Sequence, residues 1–174
     1  MNTNTDFTAN ILRIWLEADE TSMVAGMTWY SRAMDFAREL DPENPHRAAG
    51  VIAALSPMLS WARNRVLAQH IYNGGRDGCL SANITKAVRI LDGESPESVL
   101  SGPKVRAFYF NIVGVGSVET VTIDRHTIDI AVGSPLPDSV RATYMGKRKR
   151  ADIASAYVKV ADILSEMTGE NIMP

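Results

Sequence analysis

Helix-starting and helix-stopping signals recur along this sequence, and no apolar–polar alternation between them runs longer than Val118 to Ile123. Apolar residues fall instead at the three-and-four spacing of a helix. That pairing confines the chain to short helices joined by brief loops, an all-α protein. Phe7, Ile11, Ile14 and Trp15 form a stripe after the cap candidate Asp6, and Met23, Met27, Tyr30, Met34 and Ala37 form a second before Asp41-Pro42. Both read as core helices. Asn44-Pro45 and Ser95-Pro96 each place proline at the first helical position, where its missing N–H costs nothing. The first opens a helix through Val51, Ile52 and Leu55 that stops near Ser56-Pro57. Ser60 caps a helix carrying Trp61, Asn64, Ala68 and Ile71, which ends at Asn73-Gly74-Gly75, and another runs from Ser81 to Leu91 before Asp92-Gly93. Ser134-Pro135-Leu136-Pro137 is a stiff connector and Asp138 a cap. A long final helix begins at Lys147, with Ile153, Ala156, Tyr157, Val160, Ala161 and Leu164 on one face.

The polar residues with chemical potential gather between Lys104 and Gly133. Val105, Phe108, Tyr109 and Ile112 make one helical stripe, with Lys104 and Asn111 off it. Gly114-Val115-Gly116 breaks that helix, since glycine admits the positive φ of a tight reversal. The turn serves as a simple helix stop or as a cradle of N–H groups for a phosphate. Val121, Thr122 and Ile123 favour extended backbone, and Asp124 follows as an N-cap, with Ile123 and Ile128 placed as a hydrophobic staple. A carboxylate fixed there stays ionised and aimed, which suits it to stabilising a cation or orienting a water. Capping alone is the other reading. His126 and Asp129 are too few to define a metal site. Lys147, Arg148, Lys149 and Arg150 form the one dense basic run, either a solvated face or a set of phosphate contacts. At a helix start it opposes the macrodipole.

Composition narrows the function classes. With 18 basic and 20 acidic residues the net charge is -2, so no global field draws nucleic acid or an anionic membrane, and DNA binding would need a local patch. Cys79 is the only cysteine, which excludes an intramolecular disulfide, a cysteine-based zinc site and an iron–sulfur cluster within one chain. The N-terminal stretch lacks the basic and apolar regions of a signal peptide, and no apolar run approaches a membrane span. A cytoplasmic protein without metal or cofactor is expected. Residues 1–174 are expected to form one compact unit of two lobes: a central one over roughly 45–133, and another formed or completed by the terminal helices. The sequence leaves the oligomeric state open.

Leu55, Ser56, Pro57, Trp61 and Asn64, followed by the Gly-Val-Gly turn and then Ile123-Asp124-Arg125-His126 at a helix start, resemble the helix-hairpin-helix DNA glycosylase superfamily over roughly 51–133. Lys104, Phe108, Asn111 and the run from Val121 to His126, with Ala156, Tyr157 and Ala161 beyond, are most similar to its bacteriophage alpha-glutamyl/putrescinyl thymine pyrophosphorylase-like branch. That branch is associated with hypermodified pyrimidines in DNA. The resemblance implies a two-lobed helical DNA glycosylase-like fold with a central cleft, located in the bacterial host cytoplasm if the chain is phage-encoded. It implies that Gly114 and Gly116 grip a DNA phosphate and that Asp124 faces a flipped nucleotide. Position 118 is valine where lyase-type members carry lysine, so no Schiff-base lyase step is implied.

On that basis the leading expectation is an enzyme acting on a flipped nucleobase, by N-glycosidic cleavage or by processing of a hypermodified pyrimidine with a small amine or amino acid as co-substrate. Asp124 would stabilise charge on the sugar or orient the attacking group, and His126 would shuttle a proton. Lys104 and Arg125 would hold phosphate, with Asn111 and Ser56 lining the substrate and Trp61 stacking on a base or filling core. Lys147 to Arg150 would contact DNA. The competing class is a non-catalytic phage DNA-binding or protein-interaction module with a degenerate glycosylase fold, and a third is a helical interaction protein with no nucleic-acid role.

Overall fold

A computed structural model describes residues 5–115 and 120–174; Gly116 and Val118 lie outside the described residues. Among those described, the chain is all helical, with eleven α-helices and no strand. They are α1 (Phe7–Glu17), α2 (Glu20–Met27), α3 (Trp29–Leu40), α4 (Pro45–Leu55), α5 (Trp61–Tyr72), α6 (Ser81–Leu91), α7 (Pro96–Val99), α8 (Pro103–Ile112), α9 (Arg125–Val132), α10 (Asp138–Arg141) and α11 (Lys147–Thr168). None is long and apolar enough to cross a membrane. They divide into two compact units, one of residues 27–116 and one of 1–26 with 117–174. That central unit, 27–116, starts and ends earlier than the lobe of roughly 45–133 expected from the sequence, and α9 falls outside it.

Within the central unit, α4 is the core. Every residue from Ala48 to Leu55 is buried, and α3, α5, α6, α7 and α8 all pack against it. Its N-terminus forms as the sequence dictates: Asn44 accepts from the Arg47 N–H at 3.0 Å, and Pro45 occupies the first turn. Small residues permit close approach on one side. A Cβ added at Gly50 would lie 2.6 Å from Pro96 Cγ and 2.8 Å from Pro96 Cβ, so α7 sits directly on the α4 backbone. In the other unit, α1, α9 and α11 pack together around Ile11, Ile123, Ile128, Ile153, Val160 and Leu164. Asn10 fastens α1 to α9 by donating from Nδ2 to the Ala131 carbonyl at 3.0 Å.

Two local expectations are corrected. The methionine-rich stripe is two helices, broken at Thr28; α2 buries no residue, and α3 buries Ala33, Phe36 and Ala37 instead of a methionine face. The spacing of Met23 and Met27 is helical, but burial is not implied by it. Asp138 is the first residue of α10, whose N-cap is Pro137, and its carboxylate pairs with Arg141 rather than capping. Val121–Ile123 forms neither helix nor strand, with Val121 and Ile123 buried.

The Ser134–Pro137 connector is held by Arg141. Its guanidinium forks onto Asp129, Nε to Oδ1 at 3.0 Å and Nη2 to Oδ2 at 2.8 Å, and Nη2 also donates to the Leu136 carbonyl at 2.5 Å. This pairing holds the Asp129 carboxyl below its ordinary value of 3.8. A depressed carboxylate contributes stability above its unfolded pKa and loses it as pH falls through the folded one. In urea titrations, wild type should therefore exceed Arg141→Gln in stability at pH 6, and the gap should close below pH 3.8. A gap independent of pH would contradict the pairing. Gly50→Ala should lower stability by about 1–3 kcal/mol because the proline ring cannot yield. Gly26→Ala, where nothing lies within 4 Å, should leave it equal or higher in the same urea titrations.

Candidate functional site

Asp124 is fixed at the mouth of α9 by a full capping box. Its Oδ1 accepts from the His126 N–H at 2.9 Å and the Thr127 N–H at 3.2 Å, while its own N–H donates to Thr127 Oγ1 at 2.7 Å. Ile123 and Ile128, the staple pair, are both buried. The carboxylate is thus half-buried, oriented by backbone, and next to the positive end of the helix. Arg125 and His126 are exposed beside it, and Arg125 Nε donates to His126 Nε2 at 3.2 Å. Tyr157 of α11 closes the inner side: its hydroxyl donates to the Thr127 carbonyl at 3.0 Å. Burial, with the charge of Asp124 added, raises the Tyr157 phenol well above the usual tyrosine range. It stays protonated as a donor.

The arrangement holds one oriented carboxylate at a protein surface, with an imidazole and a guanidinium beside it. Asp129, one turn beyond His126 on α9, is engaged by Arg141. Among the described residues no three His, Cys, Asp or Glu side chains converge as a metal site would require. Lys147, Arg148 and Lys149 are exposed at the start of α11, and Lys149 Nζ lies 4.2 Å from the centre of the Tyr144 ring.

The remaining sequence candidates lie in the central unit. Ser56 stands at the C-terminal end of α4 and donates from Oγ to the Ala53 carbonyl at 2.9 Å; Trp61 opens α5. Trp61 is half-buried in an aromatic cluster, 4.8 Å from Trp29 and 5.9 Å from Phe36 between ring centres. Lys104 and Asn111 are half-buried at opposite ends of α8. Gly114 ends that helix with φ +74°. Its N–H donates to the Asn111 carbonyl at 3.3 Å and that of Val115 to the Phe110 carbonyl at 3.1 Å, the paired bonds of a glycine-terminated helix. These two N–H groups thus bond back onto the end of α8. Gly116 lies outside the described residues.

Two features had no sequence signal. Asp41 is buried at the end of α3 and accepts from Arg47 Nε at 2.7 Å, the Tyr72 hydroxyl at 3.0 Å and the Asn44 N–H at 3.0 Å. Burial pushes its carboxyl up, but these bonds win and hold it below the usual range. Met58, in the loop from α4 to α5, has φ +67° and is 92% exposed. A non-glycine residue in that conformation is strained.

Over residues 1–170 the chain matches the model of a family of unknown function (DUF7178), and it belongs to that family. No curated protein and no solved structure matches it.

Capping and charge at Asp124 separate by substitution. Asp124→Asn retains an acceptor and should melt close to wild type, while Asp124→Ala should lose about 1 kcal/mol in urea titration. Equal stability of the alanine variant would contradict the capping geometry.

Proposed function

We propose that this protein is a DNA glycosylase-like enzyme that acts on a flipped nucleobase, with Asp124 as its central carboxylate. The observation that carries the reading is the capping box: a carboxylate oriented by two N–H bonds and a staple, half-buried, with His126 and Arg125 exposed beside it. Removing a base breaks its bond to the sugar and develops positive charge there. A fixed carboxylate stabilises that charge and aligns the water that adds to the same carbon. The departing base takes up a proton, and His126 is placed to supply one. In the related reaction on a hypermodified pyrimidine, an amine displaces phosphate or pyrophosphate from a hydroxymethyl carbon. Asp124 then accepts the amine proton while Arg125 holds the leaving group. The glycosylase-like fold and the bacteriophage branch belong to this proposal and rest on the sequence resemblance.

One observation favours a second reading, a DNA-binding module without chemistry. Oδ1 of Asp124 is already given to capping, and His126 Nε2 already accepts from Arg125. That module would depend on Lys147 to Arg150 for phosphate contacts and bind less as salt rises.

The test is incubation of wild type and Asp124→Asn with single- and double-stranded DNA containing thymine, uracil or 5-hydroxymethyluracil, followed by mass analysis of the nucleosides. Wild type should release or alter a base, and Asp124→Asn should be slower by about 10²-fold or more. Full activity of the variant sinks the assignment of Asp124. Salt-sensitive binding by both proteins with no altered nucleoside selects the module.

A further inference from the structure

The central unit holds a groove that neither reading uses. Helices α3 and α5 both pack on α4. Trp29, Arg32 and Phe36 share one face of α3 at three- and four-residue steps, and Trp61, Arg65 and Tyr72 share one face of α5. The two faces meet. Trp29 lies 4.8 Å from Trp61, Phe36 lies 5.9 Å from Trp61, and the Arg65 guanidinium sits 4.7 Å over the Phe36 ring. Further along, Phe36, Glu39, Leu40, Gln69, Tyr72 and Asn73 line an open concavity of about 550 Å³, a size suited to a small ligand or a single nucleotide.

The two ends differ in character. At the start, the Trp29 ring is held by Trp61, Tyr30 and Phe108 yet remains 37% exposed. Arg32, Arg63 and Arg65 are exposed nearby in sequence, and none is bonded to a carboxylate among the described residues. At the far end stand Glu39 and two amides. Residues 27–116 carry more lysine and arginine than aspartate and glutamate, and the rest of the chain carries the reverse. The unit that lacks the Lys147–Arg150 run is thus the one with the basic excess.

We propose that this α3/α5 groove binds single-stranded nucleic acid, a base stacking on Trp29 and the flanking phosphates meeting Arg32 and Arg65. A held aromatic ring among guanidinium groups fits a strand in particular, because each base has a π-face and each linkage a charge. A duplex hides its bases and does not qualify. Glu39 repels phosphate and limits the contact to the aromatic end. The surface shares with the reading above a class of partner and, of the residues expected to serve it, only Trp61, and it stands or falls without any chemistry at Asp124.

The experiment is a titration of the full chain, followed by tryptophan fluorescence at low salt, with three probes: oligothymidylate, an abasic strand of equal length, and polyglutamate. Oligothymidylate should quench and bind tightest. Trp29→Leu should weaken it about tenfold, Arg65→Gln should weaken it and flatten its salt dependence, and Trp29→Phe should restore much of the affinity. Lys159→Gln, on an exposed position of α11, should bind as wild type. Unchanged affinity in both Trp29→Leu and Arg65→Gln overturns the proposal. Equal binding of the abasic strand overturns stacking, and equal binding of polyglutamate replaces the strand with an acidic protein partner. Strand binding with no Trp29 or Arg65 dependence would defeat this surface and, if nucleosides are converted, leave the Asp124 reading in place. Trp29-dependent binding without conversion would do the opposite.

Discussion

The burial of α4 is the constraint on which the central unit depends. Eight consecutive residues, Ala48 to Leu55, are shielded from water, so no face of that helix is left to face solvent. A helix apolar all round needs partners all round. The neighbouring helices are arranged by this demand, and small residues set how near they come: Gly50 admits Pro96, and the alanines at 48, 49, 53 and 54 have no side chain to hold a neighbour away. Each of Val51, Ile52 and Leu55 contributes about 1.5–3 kcal/mol by leaving water. The groove between α3 and α5 follows from the same demand, because both helices are drawn to one support.

Much of the fold was legible because its signals are local. Asp6, Asn44, Ser60, Ser95 and Asp124 all cap the helices expected of them, each accepting from an N–H two or three residues on. The bounds of α6 fall at Ser81 and Leu91 as the pattern requires. What escaped depends on packing at a distance. The stripe from Met23 to Ala37 has one continuous helical phase, yet the chain breaks at Thr28 and α2 packs no residue into a core. The Asp41, Arg47 and Tyr72 network joins three helices or their ends across 31 residues. No local pattern encodes it. Met58 offers no glycine or asparagine to announce its left-handed backbone.

The candidate site was partly legible for the same reason. Asp124, Arg125 and His126 are contiguous, so their grouping required only the cap and the staple to form, and both did. The residues expected to join them, Ser56, Trp61, Lys104 and Asn111, belong to the other unit, where Ser56 bonds at a helix end and Trp61 sits in a ring cluster. At Gly114 the glycine ends α8, and the N–H groups of Gly114 and Val115 bond back onto that helix. Asp124 caps α9 through Oδ1.

The most direct measurement of whether α9 faces a nucleobase is an amide and indole NMR titration of the chain with a single strand containing 5-hydroxymethyluracil. The His126 and Thr127 amides, which bond Asp124, should move with rising strand concentration. Movement confined to Lys147–Arg150, with both of those amides still, would contradict it.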